Sequence, residues 1–166
     1  MTEFFSERLG PSADDRQALF FDWARMANTA EEKRAGWSEA TAYFAVLFAA
    51  ASCDGKLARE EHEAMLAMTH RARVLKDLSQ DQLAALNTFV VDRFREEGEA
   101  ALVNACAALS AEMRLPVFAQ ALDIIVCDGA LSAEESAYLN RLVAALRLDR
   151  ADVERVADVI FVKNRC

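Results

Sequence analysis

The sequence predicts an all-α protein, a compact bundle of about seven or eight helices built around two pseudo-repeated helix hairpins. Three observations carry that prediction. Five glycines and two prolines are spread over 166 residues, so helix breakers are few and those present mark boundaries. Apolar residues recur at spacings of three and four, and no stretch holds the period-two alternation of a half-buried strand. Finally, "CDGKLAREE" at 53–61 returns as "CDGALSAEE" at 127–135, each time straight after an apolar run. A repeated helix pair implies two units that bury their apolar faces against each other.

The elements follow in order. Ser12 can cap a first helix carrying Asp14 and Asp15 in its first turn and apolar residues up to about Ala30. After Gly36, Ser38 starts a second helix that is apolar on nearly every side through Cys53, and therefore central. It ends at Asp54-Gly55. A third runs from about Arg59 to Val74, with Met65, Met68 and Ala72 on one side, and Ser79 caps a fourth that stops at Gly98. A fifth covers 99–112, and Pro116 suits the first turn of a sixth leading into Cys127. Ser132 and Asp149 cap the last two, Ala133 to Leu146 and Arg150 to about Val162. The predicted core includes Phe44, Leu47, Phe48, Leu57, Met65, Phe118, Leu122, Ile125, Leu131 and Leu139, which flank the paired turns. Residues 1–166 read as one domain, with 1–37 an N-terminal helical extension packed on it.

Composition excludes several classes of function. A formal net charge of −8 without a block of Lys or Arg argues against nucleic acid. The apolar run at 41–53 is closed by Asp54 and falls short of the roughly 20 residues that span a bilayer. With no secretory pattern in "MTEFFSERLG", the sequence reads as cytoplasmic. Enzyme signatures are missing: His62 and His70 complete neither E-x-x-H nor H-E-x-x-H, and no phosphate-cradling glycine loop or nucleophile elbow is present. Cys53, Cys106, Cys127 and Cys166 contain no C-x-x-C pair, and Cys53 and Cys127, at the ends of apolar helices, read as packing residues.

Each repeated motif has two readings. In one it is a helix-to-helix turn: Asp bonds local backbone, Gly takes the positive φ, Leu enters the core, and Glu sits in the first turn of the next helix. Ser132 and Glu135 form a capping box that fully explains Glu135, whereas the first copy has Ala58 at the serine position and still carries Glu61. The other reading is a carboxylate site. An EF-hand register fails, because Ala50, Ile124 and Val126 would fall at ligand positions. Two motifs meeting across a pseudo-two-fold axis could instead supply four carboxylates: Asp54, Glu61, Asp128 and Glu135.

The paired D-G turns, each with a Glu seven residues after its Asp, resemble the TerB-like tellurite-resistance family over residues 38–163. That resemblance implies a compact all-α fold, no established catalytic activity, and an acidic cluster suspected of binding a divalent metal. Matched to the family's motif, the cluster is Asp54, Glu61, Asp128 and Glu135, with Asp123 added because the family often carries an acid five residues before the second Asp. Cys53 and Cys127 depart from it, since the family usually has Ala there. The expected function is a non-enzymatic, metal-dependent sensor or scaffold in a bacterial stress response, holding calcium or magnesium and acting on a protein partner. The alternative is a metal-free structural or partner-binding domain whose D-G turns are only caps.

Overall fold

A computed structural model describes residues 36–53, 67, 69, 71–128 and 131–165. All regular structure among them is helical. The helix predicted from Ser12, most of the 1–37 extension and most of the predicted 59–74 helix lie outside the described residues.

The first described helix, α1 (Glu39–Ala50), begins as the sequence predicts. Ser38 Oγ accepts from the Thr41 N–H at 3.2 Å while Thr41 Oγ1 accepts from the Ser38 N–H at 2.8 Å, which satisfies two of the donors a helix start leaves open. Ala42 through Leu47, Ala49 and Ala50 are buried, so α1 is enclosed on nearly all sides. It packs chiefly on α3 and α4, and on α2. A turn then runs through Cys53.

Next, α2 (Gln80–Glu97) is capped by Ser79 and Gln82 in the same reciprocal way. Gly98 closes it and opens α3 (Glu99–Ala108) with φ 58° and ψ −133°. A Cβ at Gly98 would meet nothing within 4 Å, so the glycine is required by its torsion angles and not by space.

Two expectations are corrected at the next boundary. α3 stops at Ala108 and does not reach 112, because Leu109 turns extended and Ser110 occupies the N-cap position of α4 (Ala111–Ile125). Pro116 consequently lies inside α4 and not in its first turn. Its ring leaves the Glu112 carbonyl without a helical donor. Both residues are exposed, so water can serve that carbonyl and the helix continues. α4 runs into a 3-10 turn, Val126–Asp128.

α5 (Ala133–Leu146) has the predicted bounds and ends on Arg147 in the left-handed region, where the Leu148 N–H returns to the Val143 carbonyl at 3.2 Å and Leu148 is buried. α6 (Arg150–Lys163) starts at Asp149, whose Oδ1 accepts from the Ala151 N–H at 2.8 Å. It lies mainly on α4.

Of the predicted core, Phe44, Leu47, Phe118, Leu122, Ile125 and Leu139 are buried, and Phe48 and Leu131 are half-buried against the same cluster. Leu57 and Met65 lie outside the described residues. Trp37, Ala72 and Leu75 also join the core. Among the described residues no helix is long and apolar enough to cross a membrane.

Candidate acidic site at the repeated turns

The site is set by how the helices that precede the two motifs meet. α1 and α4, the helices that lead into the two turns, pack against each other. Their starts are joined, because the Ser110 N–H donates to Glu39 Oε1 at 3.3 Å. Further along, the Tyr43 hydroxyl donates to Gln120 Oε1. From the second hairpin, the buried Tyr138 on α5 donates its hydroxyl to the Val46 carbonyl of α1 at 2.9 Å. That carbonyl already belongs to a helix, so its second lone pair is used to tie the two units together.

Burial pushes the Tyr138 phenol well above the ordinary value, and the Cys106 and Cys53 thiols, which would be negative at high pH, push it further, while Arg141 acts the other way. Cys53 is thus within electrostatic reach of α5. Glu135 lies one helical turn before Tyr138 on that helix.

The individual carboxylates differ. Glu135 is buried, and its Oε2 accepts from the Ser132 N–H at 2.5 Å while Ser132 Oγ accepts from the Glu135 N–H at 3.1 Å. Asp123, half-buried on α4, binds the end of α6 with both oxygens: Lys163 Nζ at 2.5 Å on Oδ2 and Asn164 Nδ2 at 2.8 Å on Oδ1. Asp128 closes the 3-10 turn, and its side chain, like Asp54 and Glu61, lies outside what is described. Among the described residues no three His, Cys, Asp or Glu side chains gather closely enough to hold a metal ion.

Lys163, Asn164 and Tyr138 bear on the site but carry no signal in the repeated motif. Asp123 and its partners stand about forty residues apart in sequence, and only the docking of α6 on α4 brings them together. The thiols also divide. Cys106 is fully buried and burial pushes it up to about 12, so it is a packing group at neutral pH. Cys53 and Cys127 are half-buried, and neither forms a disulfide.

An all-α bundle in which the two helices that precede the repeated D-G motifs in the sequence pack against each other is the class of protein these features define. Within that class, the family model for tellurite resistance protein TerB matches residues 40–158, and the chain belongs to that family. No curated protein and no solved structure gives a significant match.

Proposed function

We propose that this TerB-family domain is a non-enzymatic, cation-dependent sensor or scaffold in a bacterial stress response, tellurite resistance being the process its family name suggests. The cation site would draw on Asp54, Glu61, Asp128 and Glu135, with Asp123 beside them. The observation that carries this reading is the hydrogen bond from the Tyr138 hydroxyl of α5 to the Val46 carbonyl of α1, which holds the helix preceding Asp54 against the helix that carries Glu135. An ion shared by the two turns would then join units that already interlock through Tyr138 and Val46.

The donor chemistry fits a hard divalent ion. Carboxylate oxygens suit calcium or magnesium, and the sequence offers no histidine pair that would favour zinc. Glu135 uses one oxygen in its capping box, and its other oxygen has no hydrogen-bond partner among the described residues. Without a cation, converging carboxylates repel one another, and a bound divalent ion removes that cost. The output would be a change in how firmly the two hairpins hold together, read by a protein partner.

A second reading has its own support. Both oxygens of Asp123 are engaged by Lys163 and Asn164, and the Ser132 box accounts for Glu135, so these two acids have structural work without any ion. Calorimetry and thermal melts with calcium or magnesium separate the readings. Under the first, the protein binds and its melting temperature rises, and Asp54→Asn with Asp128→Asn removes both effects while the far-UV spectrum stays helical. Absence of binding and of any shift in the unmutated protein would leave the motifs as helix caps.

A further inference from the structure

Both oxygens of Asp123 are engaged by the end of α6, Oδ2 by Lys163 Nζ and Oδ1 by Asn164 Nδ2. The clasp is unequal. The Asp123 side chain is 15% exposed and that of Lys163 58% exposed, so the ammonium can swing into water while the carboxylate stays where it is. A carboxylate so far withdrawn from solvent needs another positive charge once the first has left. The end of α6 has little else to hold it. Val153 and Ala157, its buried residues, lie in its first two turns, and past Ala157 the packing is left to half-buried Ile160 and Phe161.

We propose that the clasp is a latch worked by the cation: a divalent ion held at the repeated turns takes Asp123 from Lys163 and Asn164 and frees the last turn of α6 from α4. The inference rests on the cation reading above and gives that site its moving part. Asp123 stands in the last turn of α4, which leads through the 3-10 turn to Asp128. An ammonium and a divalent ion at one carboxylate repel each other, so each occupant excludes the other. The incoming ion also supplies the positive charge that Asp123 requires when Lys163 departs, so the latch opens by exchange and not by exposing a bare carboxylate. Asn164 loses its acceptor on α4 but keeps the Ile160 carbonyl of its own helix, to which Nδ2 donates at 3.0 Å. The end therefore moves away while its cap persists.

Calorimetry and nitrogen-15 NMR of the full chain titrated with calcium or magnesium test the latch. On saturation, the Asn164 side-chain amide should shift and the backbone order parameters of residues 161–165 should fall below about 0.6, the range of flexible chain. Coupling between two sites is reciprocal, so loosening the clasp must tighten the cation by the same factor. Lys163→Ala and Asn164→Ala should each bind the ion at least about fivefold more tightly. The asparagine variant changes no charge, so its gain cannot come from removing a nearby positive group. Far-UV circular dichroism verifies that both variants keep the helical fold. Binding that leaves residues 161–165 as ordered as before, or more ordered, overturns the latch and leaves the cation site standing. An unchanged affinity in Asn164→Ala overturns the latch as well, since the clasp and the ion then do not compete. Absence of binding in the unmutated chain rejects the cation site and the latch together.

Discussion

α1 and α4 occupy equivalent places in the repeat but do different jobs. Aligning Cys53 with Cys127 sets Phe44 against Phe118, Phe48 against Leu122 and Ala49 against Asp123. α1 is enclosed by α2, α3 and α4 and receives Tyr138 from α5, so eight of its twelve residues are buried. α4 buries six of fifteen, because it must present a second side to α6. The aligned pair Ala49 and Asp123 shows the consequence. In the central helix the position is a buried alanine, whereas in the outer one it is the carboxylate that holds the end of α6. A duplicated pattern therefore specifies the apolar helix, and its neighbours decide which positions become polar.

The comparison is broken most forcefully at the aligned phenylalanines. Phe118 is fully buried and Phe44 nearly so. Replacing either with Ala should cost about 3–5 kcal/mol, the range for deleting a buried aromatic ring and leaving a cavity. Phe48 is half-buried at the edge, tilted against Phe94 with ring centroids 5.8 Å apart. Phe48→Ala should cost less, about 1–2 kcal/mol, since partly exposed rings lose less transfer energy and leave an opening water can fill. Urea denaturation of the three variants measures the order. A Phe48→Ala loss as large as that of Phe118→Ala would mean that the helix edge facing α2 is as central to the core as the α1–α4 contact.

Those local differences explain what was legible in the sequence. Ser79 with Gln82, Ser132 with Glu135, and Gly98 are short-range signals that act on the residues beside them, and the helices they bound have the predicted limits. The family and the helical fold were legible in the two D-G motifs together with the helix order. Pro116 misled for a physical reason: proline is favoured in a first turn, but an exposed helix surface also tolerates it because water takes over the lost bond. The contacts around the candidate site were less legible. The Asp123 pairing with Lys163 and Asn164, and the reach of Tyr138 to Val46, depend on how distant helices dock, and no local periodicity encodes that.

Alkaline titration examines the central helix's polar contacts. Burial raises Cys106 from an ordinary 9.0 to about 12 and Tyr43 from 10.0 to about 12, the Arg114 charge and the Gln120 hydrogen bond respectively opposing it, and Tyr138 is raised as well. The unfolded chain releases these protons near their ordinary values while the folded chain keeps them. Stability is therefore fully present below about pH 9 and falls as pH rises toward about 12. Cys106→Ala should move the start of that decline from about pH 9 to about pH 10, where the tyrosines take over. Tyr138→Phe should lose about 1 kcal/mol at neutral pH through its hydrogen bond and flatten the decline above pH 10. Unfolding free energies measured from pH 7 to pH 11 check both; an unchanged slope in a chain carrying both Cys106→Ala and Tyr138→Phe would place the titrating groups elsewhere.

The smallest expected effect discriminates most sharply between the two turns. Ser132→Ala removes the side-chain half of the Glu135 capping box and should cost about 1 kcal/mol. The first copy already has Ala58 at the aligned position. If that turn is only a cap with one half missing, Ala58→Ser should complete a box with Glu61 and stabilise the fold by about 0.5 kcal/mol, whether or not a divalent cation is present. If Glu61 is instead kept for a cation, the new serine draws its carboxylate toward the backbone, and the gain in plain buffer is accompanied by weaker calcium or magnesium binding. Melts of Ala58→Ser with and without the ion decide between them. Equal gains in both conditions favour the cap, and a gain that disappears or reverses with the ion favours the carboxylate site. The asymmetry between Ala58 and Ser132 would then be a functional difference between two turns that are otherwise nearly the same sequence.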